Sequence, residues 1–462
     1  MGVDSVARSQ PLMPSLVFMN SSDAARLIRP ICRPGQTGLP YRSRLLGSSV
    51  AYLVILLATL VVSHSRAGEL VVTSKFPGGS GDVLAIEKGG AVTKVEITPS
   101  LQIERGWPCW WYIRIDGATP GQKIDLTVRG NDRSFRGTQK LAANWSTPQR
   151  ASVSLDGVHW AHTETATTTP QTATYTIVAD QPSFWVAWGP PFLSSNADAL
   201  LREIETGLAA SNQSVKRFEL ARSRENRPVH AIRFGNPQAG DAIWVQARQH
   251  AWESGSSWVG DGFIRWASGD DPLAVQLRST TEIFFVPIMD VDNVDRGAGG
   301  KDSAPRDHNR DWADRPIYPE VLAAQTAIKQ QIDSGRLRVY IDLHNPAPGD
   351  REPFYFGPLD YNELPSGLRQ KYDRFLELST QYIRGPLAIH PRYRFATYVP
   401  TAEEQSRVSR NWVGDRIGQQ GISLTLETAW NTPASTVDGY REVGRGLATT
   451  VTKYLNEMNR ND

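Results

Sequence analysis

The chain has 462 residues, 40% of them hydrophobic, with 14 tryptophans, which is material for two or three packed cores and excludes wholesale disorder. Against 48 Asp and Glu, 50 Lys and Arg leave a net charge of +2, too small a field to select nucleic acid, so no nucleic-acid partner is expected. Two cysteines, Cys32 and Cys109, exclude a disulfide framework.

Residues 1–67 read as an N-terminal extension ending in an export signal. Arg42 and Arg44 precede an apolar run from Val50 to Val62, and Ser65-Arg66-Ala67 offers small residues for cleavage. The expected destination is the periplasm or the exterior; left uncleaved, residues 45–62 would anchor the chain to a membrane, the one membrane association expected.

Residues 68–190 alternate with period two. In "QKIDLTVRG" Ile124, Leu126 and Val128 share one face, and "RASVSLDG" repeats the pattern with Val153 and Leu155. Turn clusters punctuate the runs, so a small antiparallel β-sandwich is expected. "GPPFLSSNAD" breaks the pattern, and Ser195 or Asn196 is placed to cap a helix.

Over residues 195–462 strand-like runs ("AIWVQAR", "EIFFVPIMD", "RVYIDLH", "GISLTLE") alternate with amphipathic segments, which predicts an α/β domain with a mixed, largely parallel central sheet and flanking helices. Leu368, Tyr372, Phe375, Leu376, Tyr382 and Ile383 follow a helical period, as do Tyr440, Val443, Leu447, Val451, Tyr454, Leu455 and Met458.

Three of the strand-like runs lead to candidate functional residues: His250 with Glu253, His344, and Glu427. In an α/β sheet the carboxyl ends of strands gather at one crevice. His250, Glu253 and His344 supply the three nitrogen and oxygen ligands that a catalytic zinc needs; taken singly, His344 is equally a buried, hydrogen-bonded histidine. Asn309 and Arg310 in "PRDHNRDW" suit capture of a terminal carboxylate by a planar guanidinium and an amide, or form a solvated loop. Glu427 leaves an apolar strand, where desolvation raises a carboxyl toward values useful for proton transfer; the alternative is a strand-end acid paired with an arginine.

In order, "QHAWES", "DHNRDW", "YIDLH" and "LTLETAW" resemble the zinc metallocarboxypeptidase family. The chain is most similar to its cytosolic carboxypeptidase branch, whose accessory β-sandwich is similar to "CWWYIRIDGATPGQKIDLTVRGND", "VSLDGVHW" and "WVAWGPPF". The resemblance implies one Zn2+ per chain held by His250, Glu253 and His344, substrate carboxylate held by Asn309 and Arg310, and Glu427 as the catalytic carboxylate. The implied reaction is hydrolysis of the C-terminal bond of peptides or proteins. It also implies a cation for the oxyanion between the second strand and Asn309; Arg296 is favoured over Lys301 because a guanidinium keeps its charge when desolvated.

The chain departs from the family in reading "MDVDNV" where Asn-Pro-Asp-Gly is common. Tyr393 and Tyr398 lie nearest the family's closing tyrosine, with neither assigned. Arg407, Arg410 and Arg416 form a basic pocket for an acidic C-terminal residue, or pair with Glu403, Glu404 and Asp415. Two other functions use the same residues: a zinc amidohydrolase acting on cell-wall peptides or acylated amino acids, and a carboxylate-binding module without turnover.

Overall fold

The computed structural model describes residues 69–461; the expected export segment and anchor lie outside them. Among the described residues no helix is long and apolar enough to cross a membrane.

Ten strands build the N-terminal sandwich: β1 (Val71–Thr73), β2 (Asp82–Glu87), β3 (Val92–Thr98), β4 (Tyr112–Asp116), β5 (Lys123–Arg129), β6 (Ser152–Ser154), β7 (Ala161–His162), β8 (Thr167–Thr168), β9 (Thr172–Val178) and β10 (Ser183–Ala187). They form two sheets, in the orders β1-β4-β10-β6-β7 and β2-β3-β5-β9-β8. Every pairing is antiparallel except β3 with β5. The alternation in β5 is realised, with Ile124, Leu126 and Val128 fully buried. In β6 the phase is the reverse of the expected one: Ser152 and Ser154 are buried and Leu155 is exposed. The Ser154 hydroxyl accepts from the backbone of Asp156 and Gly157 and donates to the Asp156 carboxylate, so a turn's hydrogen bonds outweigh the apolar pattern in a three-residue strand.

A third sheet contains β11 (Val215–Arg222), β12 (Pro228–Gly235), β13 (Asp241–Ala247), β14 (Thr281–Val286), β15 (Leu337–His344), β16 (Phe354–Phe356) and β17 (Ile422–Glu427). The order is β11-β12-β14-β13-β15-β17-β16. The central strands β14, β13, β15 and β17 are parallel, and the outer pairings are antiparallel. Nearly every residue of the central four is buried, as expected for parallel strands covered on both faces.

The helices are α1 (Ser194–Ala210), α2 (Ser254–Ser268), α3 (Pro272–Thr280), α4 (Val291–Arg296), α5 (Pro319–Asp333), α6 (Ser366–Tyr382), α7 (Ala402–Ser406), α8 (Ser409–Ile417) and α9 (Val437–Asn461). Helix α1 starts one residue before the expected cap: Asn196 lies in its first turn and its side-chain oxygen accepts from the Leu193 N–H. The two helical stripes are core, with Tyr372, Phe375, Tyr440, Val443, Leu447, Val451 and Tyr454 buried.

The described residues belong to one compact unit. Trp252 and Trp430, from loops beyond β13 and β17, join the buried core of the sandwich, and Trp430 packs on Trp188 with ring centroids 4.2 Å apart.

Helix α2, which begins directly after Glu253, lies unusually close to α9. A Cβ on Gly444 would stand 2.0 Å from the Val259 carbonyl oxygen, and one on Gly262 2.2 Å from that of Arg441. Backbone cannot yield there as a side-chain end can. Gly444→Ala is expected to destabilise the protein by about 1–3 kcal/mol through overpacking, read as a lower thermal midpoint in calorimetry.

Candidate functional site

The carboxyl ends of β13, β15 and β17 converge. His344 closes β15 directly opposite Glu427 at the end of β17, the two being register partners. After β13 the chain turns sharply at Arg248, a non-glycine residue at φ 61. Its buried guanidinium donates to the carbonyls of Ala251 and Phe192, which fixes the turn carrying His250 and Glu253.

His250, Glu253 and His344 are all buried, and one ligand atom from each lies within 4.8 Å of the others. Glu253 stands at the N-cap position of α2 but makes no capping bond. Its two oxygens face imidazoles instead: Oε1 is 2.8 Å from His250 Nδ1 and Oε2 is 2.7 Å from His344 Nδ1.

The opposite nitrogen of each ring meets a carboxylate. His250 Nε2 is 3.0 Å from Asp307 Oδ1, and His344 Nε2 is 2.9 Å from Asp342 Oδ2. A carboxylate behind each ring sets its tautomer and aims Nδ1 forward, as ligating histidines require. The donor set, two imidazole nitrogens and a carboxylate, fits zinc.

Burial alone would raise the Glu253 carboxyl, but the two imidazoles outweigh it and hold it well below the usual range. Burial likewise opposes charge on His344, yet Asp342 and Glu253 keep that ring protonated far above its ordinary range. A metal cation replaces such a proton in the same field.

Glu427 lines the same cavity, of about 430 Å³, as His250 and Glu253. Burial, reinforced by the Glu253 charge, pushes its carboxyl up to about 7 against the pull of His344, His250 and Lys301. Glu427 Oε2 has no hydrogen-bond partner among the described residues. A buried, unpaired carboxylate of this kind is poised to take a proton.

Asn309 reaches the cluster: its Nδ2 is 3.2 Å from His344 Nε2 and its Oδ1 accepts from the Ser409 N–H. Arg310 is half-buried, donates to the Asn309 carbonyl and forms no ion pair among the described residues. It lies close enough to act electrostatically on Lys301 and Asp307, though it does not line the cavity.

Arg296 is a correction. It ends α4 with its Nε 2.8 Å from both oxygens of Glu225 and its side chain 43% exposed, away from the cavity. Its carbonyl accepts from Gln102. The chain then reverses at Gly297, φ 66, and the run "GAGGK" delivers Lys301 to the cavity instead. Lys301 Nζ lies 3.5 Å from both Asp307 Oδ2 and His250 Nε2. Burial would lower the Lys301 ammonium, but the Asp307 charge outweighs it and holds the group protonated, so desolvation does not disqualify a lysine here.

Of the two unassigned tyrosines, Tyr393 donates its hydroxyl to the Tyr372 carbonyl, while Tyr398 lines the cavity and is 63% exposed. The three arginines do not form a shared pocket. Arg407 pairs with Glu403 and Arg416 with Asp314, leaving Arg410 buried beside the Phe356 ring.

Asp342 and Asp307 were missed in the sequence. Asp342 carries a signal, because strand alternation puts it on the same face as His344 two residues on. Asp307, 57 residues from His250, carries none.

Two family profiles match the chain: zinc carboxypeptidase over residues 201–318, and the N-terminal domain of cytosolic carboxypeptidases over residues 72–188. The first includes His250, Glu253, Asn309 and Arg310 and stops before His344 and Glu427. Cytosolic carboxypeptidase 2 of Mus musculus is 26% identical over 174 residues, 36% of this chain; the chain covers only 20% of that protein. Among solved structures, a metallo-carboxypeptidase from Burkholderia cenocepacia superposes with TM-score 0.67 at 22% identity, covering 84% of this chain and all of the other. One from Pseudomonas aeruginosa gives 0.68 at 17% identity, with 84% of this chain and 100% of the other covered. The relatives named cytosolic do not support the expected export.

Asp307→Asn and Asp342→Asn are each expected to weaken zinc binding about 10–100-fold, measured by competition against a chromophoric chelator.

Proposed function

The chain belongs to the zinc carboxypeptidase family, and from that membership we propose that it hydrolyses the C-terminal bond of peptides or proteins. The observation that carries the reading is the buried His250, Glu253 and His344 cluster beside an unpaired Glu427 in one cavity. His250 Nδ1, the Glu253 carboxylate and His344 Nδ1 would hold the Zn2+, which supplies Lewis-acid polarisation of the scissile carbonyl and of water.

The remaining work falls to side chains. Glu427 takes the proton of the attacking water and returns it to the leaving amine; its raised pKa makes it a competent base and then a competent acid near neutrality. Lys301 faces the oxygen that becomes negative, a fixed charge in a water-poor site. Arg310, free of carboxylate partners among the described residues, and Asn309 receive the substrate's terminal carboxylate.

Incubation of the zinc-loaded protein with a mixed peptide pool, followed by mass spectrometry, is expected to show stepwise C-terminal trimming. Glu427→Gln should reduce it about 10²–10⁴-fold; trimming that survives in this variant would contradict the assigned role. Lys301→Ala should lower kcat/KM about 10²–10³-fold, whereas Arg296→Ala should leave it within about twofold, as for a surface substitution. The base must be ionised to act, so kcat/KM should rise with pH through the pKa of Glu427. That limb lies at or below about 7, since a bound dication pulls the carboxyl down.

A further inference from the structure

The sandwich reaches the catalytic cavity through the loop 104–107 and through Trp145. The loop is joined to the segment carrying Lys301 by backbone hydrogen bonds. The Gly300 N–H donates to Arg105 at 2.9 Å, the Trp107 N–H to Lys301 at 3.0 Å and the Ala304 N–H to Glu104 at 2.8 Å. The approach is too close for side chains: a Cβ on Gly299 would stand 2.1 Å from the Trp107 carbonyl oxygen, and one on Gly106 2.4 Å from the Lys301 carbonyl oxygen.

Two half-buried tryptophans follow from this joint. Trp107 donates its Nε1–H to Asp302 at 2.8 Å, which satisfies its polar group, and the Lys301 ammonium stands over its ring at 5.9 Å from the centroid. Trp145 meets Trp107 edge-on at 4.7 Å and Trp252, which lies between the two ligands His250 and Glu253, at 5.7 Å. Both line the cavity that contains Glu427. Phe354 and Phe356, at the edge of the catalytic sheet, line it as well. The two cations of the lining are engaged: Arg394 lies over the Phe354 ring at 3.7 Å and bonds Asp350 at 2.7 Å, and Lys301 is held by Asp307.

We propose that Trp107 and Trp145 of the N-terminal sandwich form one wall of the substrate cleft and hold a large apolar or aromatic side chain of the peptide next to the scissile bond. The inference rests on the carboxypeptidase reading. Two packed aromatic walls, with the Trp107 N–H satisfied by Asp302, gain most from a flat apolar occupant. An anionic occupant would be desolvated there with both cations of the lining already engaged.

The test uses the full zinc-loaded chain and two series of blocked peptides, with Phe or Ala at the terminal or at the penultimate position. The wild type is expected to favour Phe by about tenfold or more in kcat/KM at one of these positions. Trp107→Ala and Trp145→Leu should each bring that ratio close to one, with Trp107→Phe restoring most of it. A wild type without Phe preference at either position would overturn the proposal, and so would a preference that survives both substitutions. If no peptide is cleaved, the carboxypeptidase reading has failed, and the wall is then judged by binding. In tryptophan-fluorescence titrations, tighter binding of the Phe peptides that is lost in Trp107→Ala would support it. Equal affinities for Phe and Ala peptides would overturn it.

Discussion

The site depends on one buried carboxylate held between two imidazoles. Glu253 turns an oxygen to Nδ1 of each histidine, and each ring is pushed forward by a second carboxylate, Asp307 or Asp342. Three carboxylates in a desolvated space are costly unless cations compensate them. Lys301 offsets part of this charge from the Asp307 side, and a dication held by the three candidate ligands would offset the rest. The same field explains Glu427: burial and the Glu253 charge push its carboxyl up, which suits it to the proposed role of a base that returns its proton.

The fold serves this cluster by delivering its members from four distant stretches. The register of β15 with β17 sets His344 beside Glu427. The strained turn at Arg248 sets His250 and Glu253, and the glycine contacts between α2 and α9 hold the helix that starts at the ligand. The sandwich is part of the same construction, since it grips the Lys301 segment by its backbone and packs on Trp252.

Much of this was legible in the sequence, for local reasons. Helical stripes such as Tyr440 to Tyr454 and the alternation of β5 report burial directly. The candidate ligands His250, Glu253 and His344 and the carboxylate Glu427 stand at the ends of strand-like runs, where an α/β sheet collects its functional groups. What stayed hidden depends on long-range approach. Arg296 ends α4 and Lys301 follows five residues later, beyond the left-handed turn at Gly297; Lys301 lines the cavity and Arg296 does not, and guanidinium charge alone leaves out Asp307, which keeps a buried lysine protonated. Leu155 looked like core because its strand is too short for alternation to govern. For Trp107 and Trp145, nothing local in the sequence reports that they line a cavity at another sheet's strand ends.

The most direct measurement is the anomalous difference density of a zinc-loaded crystal, collected at the zinc absorption edge. The account predicts one strong peak about 2.0–2.2 Å from Nδ1 of His250, Nδ1 of His344 and a Glu253 oxygen, with both Nε2 atoms still on Asp307 and Asp342. A peak on the Nε2 side of either ring, or zinc-replete crystals without density between these three residues, would contradict it.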